Sequence, residues 1–161
     1  MDTKTNAKAG YDAAIKLIDK EARSIWTFFG AMVAVNAILI TLTAASHSPL
    51  LKLNEKVPAL PALLGILGII VCVIWFLLTH RTRGFYDYYM ACAREFESVA
   101  FGEDVKLIRN GKLISDGKPV VMIDGSSFSL DSFGKFITAK ALIYFVILLF
   151  LAIYFYIGVF V

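Results

Sequence analysis

Polar and apolar positions are distributed along this chain in long blocks rather than in short alternations. Three blocks, Trp26–Ala45, Leu60–Thr79 and Ala141–Val161, contain no Asp, Glu, Lys or Arg. At 1.5 Å of rise per helical residue, about 20 apolar residues cross a hydrocarbon core of about 30 Å. Three membrane spans are therefore expected, and the intervening polar segments fall into place around them. The expected fold class is an α-helical integral membrane protein with three transmembrane helices, cytoplasmic helical stalks and a small cytoplasmic β-hairpin or meander.

Before the first span, Tyr11, Ala14, Ile15, Leu17, Ile18, Ala22 and Ile25 recur at helical spacing, with Asp12, Lys16, Asp19, Lys20 and Arg23 between them. That pattern predicts an amphipathic cytoplasmic helix within residues 1–25, with Met1–Gly10 as a frayed polar start. No Pro or Gly lies between Tyr11 and Phe29, so the helix is expected to enter the first span (26–45) as one rod. Trp26 stands where an interfacial anchor belongs. Asn36 lies mid-span, and an amide at that depth needs an intramembrane polar contact within the bundle or with a sister subunit. Gly30, Ala31, Ala34 and Ala37 form a small-residue side suited to close helix approach. The segment 46–59, carrying Pro49 and Pro58, is an external loop. Pro61 suits the first turn of the second span (60–79).

Beyond that span, Phe85, Tyr88, Tyr89, Cys92, Phe96 and Val99 continue a helical stripe, which predicts a cytoplasmic stalk helix over 80–101 that Gly102 ends. Residues 102–130 read as a small β module. Two apolar strings flank Asn110-Gly111, a strong local signal for a type I′ hairpin. Ser115-Asp116-Gly117 is a second turn, and the string from Val120 to Ile123, closed by Asp124-Gly125, is a third strand. Asp131 or Ser132 is the expected N-cap of a helix running unbroken through 131–161 into the third span.

Composition narrows the class. With 58% hydrophobic residues the chain is more apolar than an ordinary soluble domain. The net charge of +3, without a long Lys/Arg cluster, argues against direct DNA binding. Charge instead sets orientation. Lys20, Arg23, Arg81, Arg83, Lys135 and Lys140 flank the membrane on one side, and only Lys52 and Lys56 on the other. By the positive-inside rule the N-terminus is cytoplasmic and the C-terminus external. The first span is not expected to be a cleaved signal, because a helical arm precedes it and further spans follow.

Chemistry is sparse. GxSxG, HExxH and glycine-rich phosphate loops are missing, and Cys72, Cys92, His47 and His80 are scattered. No catalytic residue, metal or cofactor is expected. Glu95, Glu97, Glu103 and Asp104 read as ordinary helix-end surface. Arg81, Arg83, Tyr86 and Tyr89 combine guanidinium groups with aromatic rings, a composition suited to anionic lipid headgroups or a stacked nucleotide. Lys106 and Arg109 offer a second basic pair, expected on opposite faces of the hairpin. An interfacial aromatic belt with positive-inside arginines is the simpler account of the same residues.

The stretch from Tyr11 to Trp26, YDAAIKLIDKEARSIW, followed by Asn36, and the later RTRGFYDYYMACAREFE from Arg81 to Glu97, resemble small bacterial inner-membrane proteins of the two-span defence-effector type. The β segment and the third span depart from that pattern. The resemblance implies a membrane effector in antiviral defence, triggered by a cytoplasmic protein or a nucleotide second messenger. The resulting expectation is a non-enzymatic, channel-like homo-oligomer whose bundles line a path with Asn36, Thr41 and Thr43. An accessory or scaffold subunit that anchors a partner, and a small transporter, are the alternatives.

Overall fold

A computed structural model describes residues 3–46, 59–102, 105–122, 124–131 and 138–160. In chain order they form α1 (Thr3–Ser46), α2 (Leu60–Phe101), α3 (Leu107–Ser115), β1 (Val120–Val121), β2 (Ser127–Phe128) and α4 (Ala139–Phe160). Three of these helices are long and apolar enough to cross a membrane. The chain is a multi-pass membrane protein. The expected external loop lies outside the described residues except at its two ends.

α1 is a single helix of 44 residues, about 66 Å long. It begins well before Tyr11, in the stretch expected to fray. The reason is tertiary: Ala7 and Ala14 are buried, and the ring of Phe96 lies against Gly10, so this first part of the helix is packed. α2 likewise runs unbroken for 42 residues and stops at Gly102, whose φ of +67° continues no helix. α4 begins at Ala139. Thr138 before it is not helical, so the span does not continue unbroken from Asp131, which is also outside any helix. Ser132 lies outside the described residues.

The largest departure from expectation is at residues 107–115. The hairpin about Asn110-Gly111 is absent, and both residues sit inside α3. A type I′ turn needs positive φ at both central positions; Gly111 is not among the glycines with positive φ. The string also satisfies helical spacing, and two long-range features hold it as a helix. A carboxylate from α2 caps its start, as described below. At its end Gly117 adopts φ +76°, Lys118 N–H donates to Leu113 O at 2.9 Å and Gly117 N–H to Ile114 O at 2.9 Å, a Schellman closure.

The β element is a two-stranded antiparallel hairpin one turn later in the chain. Val120 pairs with Phe128 and Val121 with Ser127. Its turn is organised by Asp124, whose Oδ1 accepts from Ser126 N–H at 2.9 Å and from Ser126 Oγ at 2.6 Å. Those bonds hold the Asp124 carboxyl below its ordinary range. Gly125 supplies φ +81°.

The chain divides into two compact units. One comprises residues 1–24 and 82–139, with the α1 start, the α2 end, α3 and the hairpin. The other comprises residues 25–81 and 140–161, with the spans. In the span unit the buried positions recur at intervals of three, four or seven residues: Asn36, Leu39, Thr43 and Ser46 on α1; Pro61, Gly65, Gly68, Cys72, Trp75 and Thr79 on α2; Ile143, Ile147 and Tyr154 on α4. This is knobs-into-holes spacing. Trp75 fills the centre, its ring 5.7 Å from Phe29 and 6.2 Å from Phe150.

Candidate functional site

Polar groups buried in an apolar chain mark where structure is committed, because each must find a partner. Among the described residues, Asn36 in the span unit and Glu97 in the other are the fully buried examples that tie elements together.

In the span unit Asn36 is fully buried. Its Nδ2 donates to Met32 O at 2.7 Å and its Oδ1 faces the Cys72 thiol at 3.5 Å. Its backbone carbonyl accepts from the Tyr154 hydroxyl at 3.2 Å. One residue thus joins all three spans. Tyr154 reaches it because Gly68 leaves room: a Cβ there would collide with the Tyr154 ring. Thr43 and Ser46 bond to carbonyls of their own helix and are also buried. Thr41, by contrast, is exposed, with its hydroxyl on Ala37 O. The Trp75 indole N–H is buried without an acceptor among the described residues.

In the other unit Glu97 is buried rather than on the surface. This corrects the surface reading, and the cause is α3. The first N–H groups of any helix lack internal partners, and Lys106 at the cap position offers no side-chain bond. Glu97 supplies the acceptors instead: Ile108 N–H donates to Oε1 at 2.8 Å and Arg109 N–H to Oε2 at 3.1 Å. A carboxylate is the favoured group at this end of a helix dipole. Arg109 folds back so that Nε lies 3.7 Å from Glu97 Oε2 while Nη2 donates to Gly102 O at 2.9 Å. Beside this junction Tyr11 meets Phe101 edge-on at 5.3 Å. Burial, then Glu97, then Asp12 push the Tyr11 hydroxyl above its ordinary pKa.

The ligand residues expected from sequence are thereby sorted. Arg109 is engaged with Glu97 and Gly102 and sits in a helix, not on a strand face opposite Lys106. Lys106 is the exposed residue just before α3. Arg83, Tyr86 and Tyr89 lie on α2 at three-residue intervals and are half-buried, with the Arg83 Nε lacking an acceptor among the described residues. Arg81 is exposed. Tyr89 packs with Tyr88 at 5.5 Å and Phe85 at 6.4 Å. No described contact joins Arg83, Tyr86 or Tyr89 to Lys106 or Arg109. Glu97 was the residue missed; the available signal was its place on the Ala93–Glu97–Phe101 face of α2.

No group of three His, Cys, Asp or Glu side chains able to hold a metal gathers among the described residues. Residues 8–160 match the model of a family described as the octameric membrane protein family (8xMP). No curated protein and no solved structure matches the chain.

Proposed function

This chain belongs to the octameric membrane protein family, and from that premise we propose that eight copies assemble into a non-enzymatic, channel-like effector of a bacterial inner membrane. The N-terminus and the unit with α3 and the hairpin face the cytoplasm, and the C-terminus faces out. The cytoplasmic unit senses an anionic ligand or a protein partner, with Arg83, Tyr86 and Tyr89 as the residues in best position to meet it.

One observation carries the reading. The face of α1 turned away from Asn36 is rich in exposed small residues, Gly30, Ala31, Ala34, Ala37 and Thr41, beside the larger Ile38, and a Cβ on Gly30 would meet nothing within 4 Å. Lipid gains nothing from such a face, whereas a neighbouring helix gains close packing. Asn36 and Thr43 are spent inside the protomer, so of the three polar residues expected along a path Thr41 alone is turned outward.

The test is mass measurement in nanodiscs, followed by dye release from liposomes. The parent chain is expected as an octamer, and Gly30→Leu with Ala34→Leu as smaller species. Release is expected from parent liposomes after addition of a nucleotide or a cytoplasmic extract, and not from the double variant. A monomeric parent would sink the assembly reading, and octamers that never leak would sink the channel reading.

A further inference from the structure

A two-stranded hairpin has two unlike edges, and here the hydrogen-bond register tells which groups face them. Met122 N–H donates to Ser126 O at 2.8 Å, so these two residues form a hydrogen-bonded pair. Antiparallel pairs alternate, so the next pair, Val121 with Ser127, turns its N–H and C=O groups away from the partner strand. Val121 presents them on the outer edge of β1, Ser127 on the outer edge of β2. Among the described residues neither outward set has a partner.

The side chains beside these edges are uncovered as well. Val121 is 72% exposed and Met122 and Phe128 are each 49% exposed. Neither two-residue strand itself contains a charged residue or Pro, guards of an open edge that here stop at Lys118-Pro119, just before β1. The hairpin belongs to the unit outside the spans, so lipid does not explain the exposure.

The membrane constrains the occupant. Copies inserted with one orientation are related only by rotation about the membrane normal, so a closed assembly of them is cyclic. Every contact in a cyclic ring is heterologous: one patch meets a different patch on the next copy. The hairpin carries such a pair of patches. A ladder this short is weak alone, but three spans anchor each copy beside its neighbours, which makes the pairing effectively intramolecular.

We propose that the Val121 edge of one copy pairs with the Ser127 edge of the next, closing eight hairpins into a ring of strands. The inference rests on the octameric reading.

The experiment co-expresses two differently tagged chains, Val121→Cys and Ser127→Cys, both carrying Cys92→Ser, and oxidises native membranes mildly. The mixed-tag disulfide dimer is expected several-fold above either same-variant dimer, since the remaining native thiol, Cys72, is buried among the spans and the introduced cysteine is the accessible one in each chain. Octamers by mass measurement without that excess would overturn the edge pairing and leave the octamer intact. A dominant same-variant dimer would overturn it in favour of two-fold contacts, and a disulfide to an unrelated protein in favour of partner recruitment. A monomeric chain without cross-links would overturn both readings. As a second variant, Val121→Pro removes the edge N–H without altering the spans. In it the Ser127 amide is expected to exchange hydrogen several-fold faster than in the parent octamer while the octamer mass persists; unchanged exchange at Ser127 would count against the proposal.

Discussion

Glu97→Ala removes both acceptors at the start of α3 and leaves Arg109 without its carboxylate. α3 has only 9 residues, below the length at which isolated helices persist in water. Losing a helix cap costs about 1 kcal/mol, and breaking a buried charge pair about 3–5 kcal/mol. The Arg109 side chain is 29% exposed and rehydrates in part, which discounts the pair to about 2 kcal/mol and places the total with the cap at about 3 kcal/mol. That corresponds to a roughly hundredfold change in an opening equilibrium. Hydrogen exchange of the 107–115 amides reads it directly: exchange in Glu97→Ala should accelerate by about that factor, with the span amides unchanged. Glu97→Gln, which keeps an acceptor but not the charge, should fall between. Exchange of α3 within about twofold of the parent would refute the idea that Glu97 holds this helix.

Two glycines that lie against aromatic rings, Gly68 and Gly10, should respond differently to Ala. Gly68→Ala drives a methyl into the Tyr154 ring inside a packed seam and should cost about 1–3 kcal/mol of stability in detergent. Gly10→Ala meets the far end of Phe96, a side chain 36% exposed and free to swing, and gains helix propensity; its unfolding temperature should stay near the parent's. Tyr154→Phe removes the 3.2 Å bond to Asn36 O and should cost about 0.6 kcal/mol in a membrane unfolding assay, far less than Gly68→Ala. Tyr11 has a raised pKa, so its contribution is fully present below the ordinary value of about 10 and is lost as pH rises through the folded value. Stability in that alkaline window should fall for the parent and stay flatter for Tyr11→Phe, and Glu97→Gln should lower the Tyr11 titration midpoint in a phenol NMR titration.

The sequence made the spans legible because length and lack of charge suffice to define them. It did not reveal their seams. Cys72, Trp75, Ile143, Ile147 and Tyr154 are spaced as a packing stripe, yet the lipid-side residues between them, such as Ile74, Leu148 and Phe155, are equally apolar. Periodicity carries no contrast when both solvents are apolar. Asn36 stood out as a lone amide, but two of its three partners, Cys72 and Tyr154, come from other helices. At residues 107–115 a local signal, Asn-Gly between apolar strings, lost to a carboxylate supplied from α2. The hairpin itself was displaced to Asp124-Gly125, where a side-chain-bonded turn and a glycine with positive φ coincide.

The inward commitment of Asn36 and Thr43 has a consequence for conduction. If the margin of this α1 face left over from helix packing borders a lumen, its wall is alkyl side chains such as Ile38, glycine Cα and the Thr41 hydroxyl, already bonded to Ala37 O. A narrow pore with so few free polar groups sheds water, and dewetting alone is then enough to stop ions. Opening such a pore requires only that the ring widen until water columns persist; no side chain has to change charge or swing aside. The gate would be a vapour lock set by diameter, and any trigger that spreads the ring would be read as conductance.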